Sequence, residues 1–197
     1  MIRCAKISVA MWLLTALIVA WPLLGLANDT NQEETLWKAL RSGGHVALMR
    51  HALAPGTGDP PEFSIVDCST QRNLSDEGRQ QAKRIGDRFR AKGISSALVY
   101  SSQWCRCVDT AELLELGVVK ELPTLNSFFQ DFERRQPQSQ QLRKWIAKQN
   151  LDKPLVLVTH QVNINALTNV YTSSGEMVIV RRNDDGNITV LGNIRID

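Results

Sequence analysis

The chain has 197 residues, 43% of them hydrophobic, and a formal net charge of +3 at neutral pH. Two of the positive charges, Arg3 and Lys6, precede an uncharged apolar run from Ile7 to Ala27, and without them the balance falls to +1. With no basic cluster, internal repeat or low-complexity stretch, this excludes an electrostatic nucleic-acid binder, a repeat array and a disordered tail, and it leaves one ordinary globular domain.

At the N-terminus, positive charge followed by an apolar run that ends in the small residues Gly25 and Ala27 predicts a secretory signal over 1–27, cut ahead of Asn28. A run of this length can also remain as an uncleaved membrane anchor; Pro22 and the small residues favour cleavage. Either way, residues 28–197 form the functional domain in a periplasmic or secreted setting.

The pair Thr30 and Glu33 forms a capping box that predicts a helix start ahead of Leu36, Trp37 and Leu40, with Gly43 and Gly44 ending the helix. A nearly continuous apolar strand follows from His45 to Met49, as expected where both faces of a sheet are covered. A long loop then runs from Ala52 to Asn73, rich in Pro and Gly, and its place next to His51 favours a functional role. Ser75 is a candidate N-cap for a helix whose Ala82, Ile85 and Phe89 share one face, with Gly93 as its stop. Beyond it, the pattern predicts a strand at Ala97–Ser101, a helix at Arg106–Leu116 and a strand near Val118–Leu122. A helix at Gln138–Gln149, a strand at Leu155–Thr159 and a helix at Val162–Val170 come next, closed by a hairpin of Met177–Arg181 and Ile188–Ile196. Alternating strands and helices point to an α/β fold, a three-layer α/β/α sandwich on a mostly parallel sheet.

Three of these strands end in cationic or imidazole side chains: Arg50 and His51 after the first, Arg106 shortly after Ser101, and His160 after Thr159. Each has an ordinary reading alone, as a solvated helix arginine or a hydrogen-bonded histidine. Strand carboxyl ends form the ligand crevice of an open α/β sheet, so together they predict one pocket suited to a phosphate. His45 precedes its strand and is read as structural.

The same residues carry a family resemblance. Leu48-Met49-Arg50-His51-Ala52 resembles the R-H-G signature of the histidine phosphatase superfamily, which includes phosphoglycerate mutase-like enzymes. Leu74 to Ala82 resembles its L-T-x-x-G-x-x-Q-A segment, Tyr100-Ser101-Ser102 through Arg106 to Thr110-Ala111 its Y-S-S-x-x-x-R-x-x-x-T-A segment, and Val158-Thr159-His160 its second histidine. The resemblance implies a phosphoglycerate mutase-like fold and phosphoryl transfer through a phosphohistidine. In that scheme His51 attacks phosphorus while Arg50, Arg106 and His160 hold the oxygens, with no cofactor and no metal. The short chain argues against a mutase, and no cysteine has the C-x5-R spacing of cysteine-dependent phosphatases.

The sequence departs from the family at Ala52 and Gln161, where glycine is usual, and at Ser127, where many members carry a general-acid glutamate. Asp131 is the nearest substitute, followed by Glu133, and a good leaving group or a phosphoramidate would relieve the need. The expected partner is a phosphorylated small molecule or an envelope glycolipid; the alternative is a phospho-ligand binding protein of the same fold without turnover. Of the cysteines left after export, Cys68 is expected to pair with Cys105 or Cys107, because two residues apart on a helix cannot both face it. The C-x-C spacing with one distant cysteine lacks the paired pattern of a zinc site.

Overall fold

The computed structural model describes residues 21–196. The chain divides into two compact units, 1–35 and 36–197. Among its described residues, the first unit is helical throughout. The helix that begins there, α1 (Trp21–Arg41), starts well before Thr30, so the Thr30 to Glu33 pair lies in its interior rather than capping it. The good helix formers Leu23, Leu24, Leu26 and Ala27 carry the helix through the local cap signal, and Pro22 falls in the first turn, where no backbone donor is needed. Most of the expected signal or anchor lies before Trp21, outside the described residues. Among the described residues, no helix is long and apolar enough to cross a membrane.

The second unit is built on a six-stranded sheet in the order β3-β2-β4-β1-β5-β6. Strands β1 (His45–Arg50), β2 (Leu98–Ser101), β3 (Val119–Glu121) and β4 (Leu155–Thr159) run parallel, with Met49 level with Val158. The hairpin β5 (Met177–Arg182) and β6 (Ile188–Ile194) adds an antiparallel edge against β1.

Because side chains alternate along a strand, β1 feeds both layers. Ala47 and Met49 pack with Trp37 and Leu40 of α1, Ile85 and Phe89 of α2 (Asp76–Ala91), and Ala111 of α3 (Cys105–Leu113). Val46 and Leu48 pack on the other face with Leu142 and Ile146 of α4 (Arg135–Ala147) and Ile164 of α5 (Gln161–Thr168). The result is the expected α/β/α sandwich.

Boundaries moved where local geometry decided. Helix α3 ends at Leu113 because Glu115 takes a left-handed φ of 53°, which turns the chain into β3. Helix α4 begins three residues earlier than expected, with Pro137 in its first turn. Ser75 does cap α2, accepting a hydrogen bond from the Gly78 N–H. Gly78 is required there, since a Cβ would collide with the Leu53 carbonyl that follows the β1 crossover.

Candidate active site

The carboxyl ends of β1 and β4 lie side by side, and the chain leaves each through a histidine. The His51 N–H donates to the Thr159 carbonyl, which extends the parallel pairing by one residue and fixes the two imidazoles 5.5 Å apart between ring centroids. Both rings are buried, His51 at 2% and His160 at 4% exposure. The two motif side chains Gln81 and Thr110 hold the turn after His51. The Thr110 hydroxyl accepts the Ala52 N–H at 3.0 Å and donates to the Arg106 carbonyl, and Gln81 accepts the Leu53 N–H at 3.0 Å.

The His51 Nδ1 lies 2.8 Å from the Ala52 carbonyl oxygen. A carbonyl can only accept, so Nδ1 carries the hydrogen and Nε2 keeps its lone pair. Burial, then the charges of Arg106, Arg50 and Arg72, push the pKa of this imidazole from 6.5 down to about 3, so the ring is neutral at physiological pH. Burial first, then His51 and Arg106, likewise hold His160 well below the usual imidazole range. His160 Nε2 is in hydrogen-bond contact with Ser102 Oγ at 2.9 Å, and Ser102 in turn donates to Asn126 Oδ1.

Around the imidazoles lies a cavity of about 320 Å³. Arg50, Arg106, His51 and His160 all line it, and Asp131 lies at its exposed mouth. Glu133 does not line it. Ser127 stands in the wall, and its neighbour Asn126 is buried and committed to Ser102 and Gln103. One wall is aromatic: Phe63 stacks on Trp104 at 4.9 Å, and Phe129 faces the same space. Arg50 is half-buried, donates through Nη1 to the Thr172 carbonyl and leaves a buried Nε without a partner. Burial and the Arg106 charge lower its pKa.

Two residues that sequence reasoning did not single out belong to this constellation. Asp59, on the loop after β1, pairs with Arg106 through Nη1 at 2.6 Å and Nη2 at 3.1 Å, and accepts the Trp104 Nε1–H at 3.0 Å. Burial alone would raise its carboxyl pKa, but the Arg106 hydrogen bonds and charge and the Trp104 donor outweigh it and hold the group below the usual range. Arg72 braces the same loop by donating to the Gly58 carbonyl at 2.7 Å and to the Ala54 carbonyl. Its only advance signal was a Gly-Pro-rich loop of unusual length beside His51.

The loop is tied down where it meets α3. Cys68 pairs with Cys105, the residue before Arg106, and Gln71 accepts the Cys105 N–H at 2.9 Å. Cys107 stays reduced and fully buried near His160, its thiol pKa pushed up to about 12 chiefly by burial. Among the described residues, no group of three His, Cys, Asp or Glu side chains is placed to hold a metal ion.

Comparison with known proteins agrees with this fold. Among solved structures, a SixA phosphohistidine phosphatase described as putative, from Agrobacterium tumefaciens, superposes with a TM-score of 0.56 at 18% identity, covering 78% of this chain and 99% of that one. Phosphoserine phosphatase from Entamoeba histolytica in complex with 3-phosphoglyceric acid gives 0.58 at 14% identity, covering 78% and 98%. At these identities the likeness is one of fold. The mitochondrial serine/threonine-protein phosphatase Pgam5 of Drosophila grimshawi is 28% identical over 95 residues, 45% of this chain and 30% of that protein. The chain thus spans about 30% of the length of the curated relatives it matches. Residues 46–128, which run from β1 through the loop, α2, α3 and β3 to Phe128, match the family model of the histidine phosphatase superfamily (branch 1), and the chain shares the fold of the solved structures above.

Proposed function

We propose that this protein is an exported phosphatase that hydrolyses a phosphate monoester, or a phosphoramidate, through a phosphohistidine on His51. The observation that carries the proposal is a neutral imidazole with an unprotonated Nε2, buried in a cavity that four arginines also line. A nucleophile needs that lone pair, and guanidinium groups stay charged and match phosphate oxygens in shape. His51 Nε2 attacks phosphorus as the bond to the leaving oxygen of an ester, or the leaving nitrogen of a phosphoramidate, breaks, while Arg50, Arg106 and His160 stabilise the equatorial oxygens. Water then attacks the phosphorus, the P–N bond breaks, and neutral His51 returns with inorganic phosphate.

Asp131 is the proposed proton donor to the leaving group. Of the two carboxylates lining the cavity, it is exposed at the mouth, whereas Asp59 is held by Arg106. The aromatic wall suits the organic part of a phosphorylated small molecule or of an envelope glycolipid sugar. Export is supported by the residue pattern over 1–27 and by a disulfide, a bond typical of oxidising compartments. Removal of 1–27 would leave Thr30 at a helix start, where its capping box could act.

Brief mixing with a phosphorus-labelled aryl phosphate and acid-sparing analysis tests the reading. Acid-labile label on His51 in the native protein and none in His51→Ala is the expected result. A folded native protein that binds phosphate but neither turns over nor takes label would instead be a phospho-ligand binding protein.

A further inference from the structure

Arg106 is the most deeply buried guanidinium in the cavity, with its side chain 3% exposed, and its fork is already occupied. Asp59 Oδ1 accepts from Nη1 and Oδ2 from Nη2, the two-pronged geometry by which a guanidinium grips a phosphate. Nη1 also donates to the Arg72 carbonyl at 3.2 Å, so both of its hydrogens are engaged, while Nη2 spends one of its two on Asp59. Nε is buried and has no partner. A buried charged donor without a hydrogen-bond partner is costly, so the resting arrangement leaves Arg106 incompletely satisfied.

We propose that Asp59 is an internal stand-in for the substrate's phosphate: its carboxylate fills the Arg106 fork in the resting protein, and substrate binding exchanges carboxylate oxygens for phosphate oxygens. This inference rests on reading the cavity as a phosphate site. It makes Asp59 a positioning residue that holds the arginine in place and sets how tightly phosphate is kept.

The exchange needs little movement. Asp59 Oδ2 already accepts from Trp104 Nε1 and Oδ1 from the Arg72 N–H at 3.2 Å, so a carboxylate turning off Arg106 keeps two partners. Asp59 follows Gly58, whose φ of 72° only glycine adopts freely, and precedes Pro60. Beyond it the loop is pinned to the base of Arg106 by the Cys68–Cys105 bond, so the exchange leaves the rest of the loop where it is.

Charge explains why such a device is useful. With both imidazoles neutral, the four lining arginines, Arg50, Arg72, Arg106 and Arg134, against Asp59 and Asp131 leave the cavity a charge of +2, the complement of a phosphate dianion. Without the carboxylate the same cavity would carry one further positive charge and would hold inorganic phosphate, the product, too firmly. Asp59 returning to the fork helps expel it.

The test is Asp59→Asn, which keeps size and an acceptor for Trp104 while removing the charge. Inorganic phosphate and tungstate binding are measured by calorimetry, and product inhibition by inorganic phosphate is measured with an aryl phosphate. Asp59→Asn is expected to bind phosphate roughly tenfold more tightly and to be inhibited by it to the same degree. A residue with only a structural role would give unchanged or weaker binding, and that result overturns the proposal. So does unchanged affinity with a kcat loss that grows with leaving-group pKa, which would mark Asp59 as a proton donor. If the variant unfolds alone, recovery of folding in phosphate at concentrations that saturate the native protein supports the exchange, and failure to recover overturns it. Because binding is read without turnover, a native protein that binds phosphate yet hydrolyses nothing refutes the phosphatase reading while leaving this test intact.

Discussion

The floor and the rim of the cavity are built on different principles. The floor is made of strand ends: His51 and His160 continue β1 and β4, and the backbone hydrogen bond from His51 to Thr159 locks their separation into the sheet register. The rim is made of the loop after β1 and the segment from Asn126 to Arg134, held by side chains, a disulfide and one buried ion pair. The difference teaches that chemistry and selectivity are supported separately. Atoms that must not move hang from the most buried strands, and atoms that must adapt hang from a loop with defined anchor points.

The largest break in this comparison comes from the floor. His51→Asn is expected to lower turnover by at least about a thousandfold while leaving tungstate binding within a few fold, because the oxygen-binding arginines remain. Parallel kinetics and calorimetry check this; a loss of binding equal to the loss of turnover would mean that the floor binds rather than reacts.

Next in size is the response of the floor to acid. An unfolded imidazole takes up a proton near pH 6.5, whereas folded His51 resists until about pH 3. Its neutral form therefore contributes stability fully above pH 6.5, and this is lost as pH falls toward 3. Urea unfolding of the ligand-free protein at pH 7 and pH 4.5 should show a marked fall. The fall should be shallower in His51→Asn, which lacks the group; equal slopes would place the imidazole in contact with solvent.

Legibility from sequence divides along the same line as the floor and rim. His51 and His160 could be placed because a buried strand announces itself as an apolar run and must end in the crevice. Gln81 and Thr110 were visible only as pattern residues of a resemblance, and the structure supplies their physical task, which is to hold the backbone after His51. Asp59 and Arg72 were silent because a loop has no periodicity, and their partners lie 47 residues away at Arg106 and on loop carbonyls that no pattern encodes. Alternation on a helix limited Cys68 to one partner without saying which; only the approach of the loop to the start of α3 selects Cys105. At α1 the error ran the other way, as a sound local signal at Thr30 was overridden by helix-forming neighbours.

The rim is sharpened by removing its covalent anchor. A Cys68→Ser, Cys105→Ser protein releases a crosslink spanning 37 residues and is expected to lose about 2–4 kcal/mol of stability. Tungstate binding should weaken with it, because Arg106 follows Cys105 and Asp59 sits in the released loop. Thermal melts with and without tungstate measure both effects; a protein equally stable and equally avid would show that Arg72 and Gln71 suffice to hold the loop.

The smallest effect is expected at Asp131, and it is the one that tests whether the division is complete. An exposed carboxyl group that lines the cavity can, in its protonated form, give a proton to a departing alkoxide, whereas its charged form would repel the phosphate rather than grip it. A nitrophenolate leaves without help, whereas an alkoxide needs protonation, and a positioned general acid is worth more the poorer the leaving group. Asp131→Asn should therefore leave p-nitrophenyl phosphate hydrolysis nearly unchanged and slow alkyl phosphate hydrolysis by roughly tenfold or more. An equal effect on both would remove Asp131 from the chemistry and confine catalysis to the floor. A graded effect would mean that the rim, besides selecting the substrate, completes the reaction that the floor begins.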